Sequence, residues 1–386
     1  MSERDLLMIP GPINFDPGVL RAMSAPTAGH TAPEFIERFG CTLELTKQAF
    51  LAPSATPFVI AGSGTLAMDI AASNLVEPGD KVLAVSTGYF GERMVAILQR
   101  YGAEVTLLRA EVGDVVPLDR VAAELARSQP KILTVTHVDT STGVAVDVRA
   151  LAQLGRQHNA LVVVDGVCSV AGMELRQDEW GVDVTLTASQ KAIGVPPGLA
   201  LVVVSPRALE AFRARKTPVA NYYADWTNWL PVMEAYLARK AAYFGTPPVN
   251  LVYALHESLR QILAEGMEAR VARHQKLSDA FKAGIAAIGL KQVPVRHAIA
   301  ATTMSAPYFP AEIDAKVIGK IRERGIVVAG GLHPAIREKY FRVGHMGVVS
   351  PADLAATLSA IEGALLASRY EFNEGAGLAT FEKALA

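Results

Sequence analysis

Between residues 160 and 205 the chain reads "ALVVVDGVCS" (160–169), "VDVTLTASQK" (182–191) and "LALVVVS" (199–205). The first and third carry a short continuous apolar run, the pattern of a strand covered on both faces, and the second is a β-branched run of the same length. Four further runs come earlier: "FVIAG" (58–62), "KVLAVS" (81–86), "VTLLRA" (105–110) and "KILTVTHV" (131–138), with helix-length stretches between them. This alternation puts the chain in the α/β class, with a mostly parallel central sheet.

After about residue 206 the pattern turns helical, through "VNLVYALHESLRQILAEG" (249–266) and the amphipathic "MEARVARHQKLSDAFKAGIAAIG" (267–289). Strand signals return in "ATTMSAPYF" (301–309), "GIVVAGG" (325–331) and "YFRVGHMG" (340–347), and a final helix is expected from about Ser350. The expected organisation is an N-terminal segment (1–15), a large domain (16–259) and a smaller α+β C-terminal domain (260–386).

The 386 residues hold 37 Lys+Arg against 38 Asp+Glu, a net charge of −1. That balance carries no electrostatic footprint for nucleic acid or an anionic membrane. Two cysteines, Cys41 and Cys168, make neither a disulfide framework nor a CxxC metal site. "MSERDLLMIPGP" has no long apolar core of a leader, and no run of about twenty apolar residues follows. A cytoplasmic, metal-free enzyme acting on small molecules is expected.

"FVIAGSGTLAMD" reads as strand, tight turn and helix. Gly62, Gly64 and Ala67 match the G-x-G-x-x-A dinucleotide spacing, but that fingerprint needs an acid at the end of the next strand. Asp80 has the distance and precedes the strand instead. Ser63, Gly64 and Thr65 open a helix whose free N–H groups attract phosphate. An ordinary helix cap with small residues for close packing reads equally well. No G-K-[ST] follows to make a nucleoside-triphosphate loop.

Asp165 ends a buried strand, where ligands of open α/β sheets sit, and Lys191 follows the next strand, ahead of a loop stiffened by Pro196 and Pro197. Taken alone, Asp165 reads as a helix cap or loop carboxylate. An amine and a carboxylate on one sheet edge, beside a phosphate cradle, meet the needs of pyridoxal 5′-phosphate. In that reading Asp165 favours a protonated pyridine nitrogen by charge pairing. Lys191 holds the cofactor as a Schiff base, then moves the substrate proton.

These residues resemble the class V aminotransferases of fold type I, in particular the alanine–glyoxylate and serine–glyoxylate (serine–pyruvate) group. The resemblance runs in order through "IPGPINFDPGVLRAM", "GHTAPEFIERF", "AGSGTLAMD", "GYFGER", "THVDTSTGV", "VVVDGVCSVAG", "SQKAIGVPPG", "YFGTPP" and "YFRVGHMG". It implies Lys191 and Asp165 as catalytic residues, with Ser63, Gly64, Thr65 and Gln190 at the phosphate and Thr140 near the ring hydroxyl. It also implies Phe90 stacked on one face of the ring and Val167 packed on the other. Tyr243 and Thr246 would reach the phosphate of a neighbouring subunit in a homodimer. Arg342 would grip the substrate carboxylate, and Gly11 would line the substrate pocket.

Two positions depart from the family pattern. Thr31 stands where many relatives carry Arg, and Thr65 where some carry His. His30, beside the first, reads as a structural histidine.

A desulfurase needs a nucleophilic cysteine on a later loop, and none follows Cys168. The resemblance therefore implies a ping-pong transfer from alanine or serine to glyoxylate or pyruvate. A dicarboxylic donor would want a second cation, and no obvious one shows. The alternatives are a class V aminotransferase with another donor, such as aspartate, or a pyridoxal-phosphate lyase.

Overall fold

The computed structural model describes residues 5–386. Its centre is a seven-stranded sheet in the spatial order Thr56–Ala61, Leu199–Val204, Val184–Ala188, Leu161–Asp165, Ile132–Thr136, Lys81–Ser86, Glu104–Arg109. Six strands point the same way; only Leu199–Val204 is reversed and runs against both of its neighbours. All seven apolar runs of the sequence are strands of this sheet. They are continuous because helices cover both faces: every residue of Leu199–Val204 is fully buried.

Ser86, Thr136 and Asp165 end three of the parallel strands, so these polar side chains gather at one edge of the sheet. Helices Gly64–Leu75 and Tyr89–Arg100 start from that edge. Helix Val249–Glu265 packs on helices Pro17–Met23 and Pro33–Ala49 within the core built around the sheet. The next helix, Met267–Ala287, carries the chain into a second core built on Phe281, Ile285, Phe341, Leu354 and Phe381.

The C-terminal strands are shorter than the sequence pattern implied. "ATTMSAPYF" keeps only Met304–Ser305 as strand. "GIVVAGG" splits, because its two halves pair in different sheets. Ile326–Val327 lies parallel to Leu6–Leu7, and Ala329–Gly330 lies antiparallel to Phe341–Gly344. Helix Pro351–Leu366 begins at a capping box formed by Ser350 and Asp353, and a further helix, Ala376–Leu385, follows it and packs on Met267–Ala287.

The N-terminal strap is fastened to the second core. Met8 is buried within it, its N–H donates to Val327 O at 2.8 Å, and its carbonyl accepts from Gly344 N–H at 2.7 Å. The strap then crosses to the sheet edge, where Ile13 N–H meets Gln190 O at 3.3 Å. Among the described residues no helix is long and apolar enough to cross a membrane.

Candidate active site

Two buried aspartates lie close in sequence around the central strands, and their partners tell them apart. Asp183, before strand Val184–Ala188, accepts from Val162 N–H at 2.8 Å and Ser205 Oγ at 3.1 Å and pairs with Arg207 at 2.9 Å. Its hydrogen-bonding capacity is taken up inside the fold. Asp165, at the opposite edge, receives one side-chain hydrogen bond, from Val167 N–H to Oδ1 at 2.9 Å. Burial pushes its carboxyl up to about 6, against the pull of that N–H, and the Asp139 charge adds to the rise. An under-partnered buried acid at the ligand edge of an α/β sheet is a group awaiting a cation.

Lys191 follows strand Val184–Ala188 in a tight loop closed by Gly194 N–H to Lys191 O at 2.8 Å and Val195 N–H to Ser189 O at 2.9 Å. The side chain is 9% exposed. Its amine donates to the carbonyl of Pro10 on the strap. Burial pulls its pKa below the usual lysine range, and the Arg342 charge pushes the same way. The opposite contributions of Cys168 and Asp165 do not outweigh these.

Asp165 and Lys191 line one cavity of about 180 Å³. Its wall includes the helix N-terminus Ser63–Gly64–Thr65, with Ser63 Oγ capping Leu66 N–H at 3.4 Å. Position 64 is closely packed: a Cβ there would come within 3.1 Å of Val167 Cγ2, so that side chain would have to give way. Gln190 also lines the cavity, and its side-chain oxygen is buried with no partner. Asp80 lies elsewhere, bonded to Lys131 at 2.5 Å and to Glu77 N–H at 2.7 Å, so the dinucleotide reading has no ribose acid.

Phe90 and Thr140 reach the cavity through one buried carboxylate. Asp139 accepts from Phe90 N–H at 2.9 Å, Gly91 N–H at 3.2 Å and Ser141 N–H at 2.9 Å. It thereby caps helix Tyr89–Arg100 and holds Phe90 beside Thr140.

Ten of the expected residues therefore meet at this cavity: Gly11, Ser63, Gly64, Thr65, Phe90, Thr140, Asp165, Val167, Gln190 and Lys191. Three do not line it. Arg342 adjoins Thr140, its Nη1 donating to Thr140 O at 3.2 Å and its Nε to Gly330 O at 2.8 Å. Tyr243 is 65% exposed, with its ring 5.3 Å from that of His30, and Thr246 is exposed. Thr31 is exposed beside His30.

Met68, Arg93 and Val138 line the cavity without having been expected there. Arg270, 5% exposed, was also not anticipated. Its guanidinium donates to Ala171 O at 2.8 Å and Ala192 O at 2.9 Å, tying the chain beyond Asp165 to the Lys191 loop. A larger surface cleft of about 590 Å³, beside Leu290 and Tyr308, holds no comparable buried pair of amine and acid. Among the described residues no group of three or more His, Cys, Asp or Glu is placed to hold a metal.

The donor set fits pyridoxal 5′-phosphate. Lys191 offers an amine for the aldehyde and Asp165 an acid for the ring nitrogen. The helix N-terminus and the unpartnered amide of Gln190, turned to present its N–H groups, offer donors for the phosphate.

Comparison with known proteins agrees. Residues 22–353 match the class-V aminotransferase family. The chain is 42% identical to alanine–glyoxylate aminotransferase 1 of Saccharomyces cerevisiae over 361 residues, covering 90% of this chain and 93% of that one. It is 33% identical to L-aspartate–glyoxylate aminotransferase of Paracoccus denitrificans, covering 99% and 96%. The crystal structure of ureidoglycine–glyoxylate aminotransferase from Bacillus subtilis superposes with a TM-score of 0.93 at 29% identity, covering 100% and 98%. The chain belongs to the class-V aminotransferase family and is a pyridoxal 5′-phosphate-dependent transaminase.

Proposed function

We propose that the enzyme moves the amino group of a small amino acid, alanine or serine, to glyoxylate or pyruvate in two half-reactions. The observation that carries the reading is the shared cavity of Lys191 and Asp165 beside the Ser63–Thr65 helix start. Glyoxylate recurs as acceptor in the names of all three relatives, while their donors differ.

Bound pyridoxal 5′-phosphate supplies an electron sink for the pair released when a substrate Cα–H bond breaks. Lys191 Nζ, its charge disfavoured by burial, is the base that takes the α-proton and delivers it to the neighbouring carbon. Asp165 keeps a proton on the ring nitrogen by charge pairing. Arg342 has its fork free for the substrate α-carboxylate apart from its bonds to two backbone carbonyls. Without cofactor, Nζ donates to the Pro10 carbonyl.

Exposed Tyr243 and Thr246, with Tyr222 78% exposed nearby in the chain, support a homodimer in which these residues reach the neighbouring subunit's phosphate. The free thiols Cys41 and Cys168 support a cytoplasmic setting. Arg93 is a second cation in the cavity, the one feature that favours a dicarboxylic donor such as aspartate.

A screen of the first half-reaction tests the donor: each amino acid is added to the yellow holoenzyme and bleaching of the chromophore is timed. Alanine or serine should bleach it fastest, and glyoxylate should restore it. A fast reaction confined to aspartate or glutamate would reject the neutral-donor reading.

A further inference from the structure

We infer that Arg93 is a phosphate-binding residue, supplying the positive charge that the helix start at Ser63, Gly64 and Thr65 lacks. The inference rests on the cofactor assignment above. Arg93 lines the same cavity, and its Nη1 donates to Thr65 Oγ1 at 3.0 Å. Its guanidinium carbon lies 4.8 Å from the ring centroid of Phe90 and 5.2 Å from that of Tyr89. Two aromatic faces hold the group in place without neutralising it.

Among the described residues no carboxylate pairs with Arg93. Its chain neighbour Glu92 is taken by Arg109, in a two-pronged pair at 2.7 and 3.0 Å. Arg93 thus keeps donors for an anion in the cavity.

The charge count favours such a group. A phosphate monoester carries about −1.5 to −2 at pH 7, and a helix N-terminus offers roughly +0.5. Gln190, Ser63 and Thr65 are neutral, so about one negative charge or more is left over. A guanidinium supplies one positive charge, and its planar fork suits phosphate oxygens. The same chemistry would recognise the distal carboxylate of a dicarboxylic donor. The bond to Thr65 places the guanidinium at the phosphate end instead.

The test compares full-length wild type, Arg93→Met and Arg93→Lys, each stripped of cofactor and titrated with pyridoxal 5′-phosphate or with pyridoxal, which has no phosphate. Arg93→Met should bind the phosphorylated form roughly 10- to 100-fold more weakly and pyridoxal unchanged. Arg93→Lys, which keeps the charge, should recover part of the loss, and thermal melting checks that each variant is folded. The ratio of KM for aspartate to KM for alanine should stay at the wild-type value.

Unchanged binding of pyridoxal 5′-phosphate by Arg93→Met would overturn the inference, and so would equal weakening for both forms, which marks a structural role. Unchanged binding with a selective rise in KM for aspartate would move Arg93 to the substrate's distal carboxylate. Wild type that takes up neither form would overturn the cofactor assignment itself.

Discussion

The amine of Lys191 donates a hydrogen bond to the carbonyl oxygen of Pro10, so the reactive lysine at the sheet edge is held by a strap fastened to the second core. Gly11, next on that strap, has φ +99°, and a Cβ there would sit 2.5 Å from Lys191 Cδ and 2.9 Å from Nζ. Gly11→Ala must therefore displace either the strap or the lysine. Misplacing a reacting group by about 1 Å costs roughly 100-fold in rate. The variant should keep its yellow colour and show a half-reaction with alanine slowed by that order in stopped-flow traces.

Asp165 gives a pH dependence with a definite sign. Folding raises its pKa from 3.8 to about 6, so the native protein binds this proton more tightly than the unfolded chain does. Its contribution to stability is full below pH 3.8 and is lost as pH rises through about 6, on the order of 3 kcal/mol in the cofactor-free protein. Asp165→Asn should remove that component from urea denaturation curves collected across this window. Adding cofactor to wild type should remove it too, because a nearby cation favours the ionised acid.

Arg342 meets two backbone carbonyls and, among the described residues, no carboxylate. Losing a charge-assisted bond to a substrate carboxylate costs about 1.5–3 kcal/mol, roughly 10- to 100-fold in kcat/KM. Arg342→Met should lower kcat/KM by that factor for every amino acid donor while leaving the bound-cofactor absorbance unchanged.

Arg270 lies under the site, with Glu265 as its partner at 2.8 Å. Glu265 keeps Arg273 as a partner, so the cost falls on the freed Ala171 and Ala192 carbonyls, about 1–3 kcal/mol for each buried acceptor left unsatisfied. Arg270→Met should lower Tm and loosen the Lys191 loop, read as faster amide exchange at Ala192–Gly194. Its neighbour Arg273, one-third exposed, also pairs with Glu265 at 2.6 Å and should cost far less.

The sequence made Asp165 and Lys191 legible because each follows an apolar run whose polarity changes at the sheet edge. The seven sheet strands were legible for the same reason: burial on both faces leaves little room for polar residues. Phe90 carried no such signal, since a lone aromatic on a helix is common in cores, and only its motif singled it out. Arg93 lies three residues further along that helix and shares its face, but an arginine on a helix reads as solvent-facing until a cavity is seen beside it.

Arg270 was hidden by distance. The carbonyls that bury it come from residues 171 and 192, and within "MEARVARHQK" it reads as one charge among several. The short C-terminal strands were over-read because Ile326–Val327 and Ala329–Gly330 pair in different sheets, a choice made by the strap and not by local pattern.

The most direct test of the account is to reduce the purified yellow protein with borohydride, digest it and locate the cofactor mass. Lys282 is the informative rival, a buried amine with its pKa pulled to about 7 by burial, but it is bonded to Ser278 and the Ala301 carbonyl in the second core. The account predicts the mass on the peptide containing Lys191, and no label after Lys191→Ala. Label on Lys282 or any other lysine, or a Lys191→Ala protein that still takes the label, would contradict it.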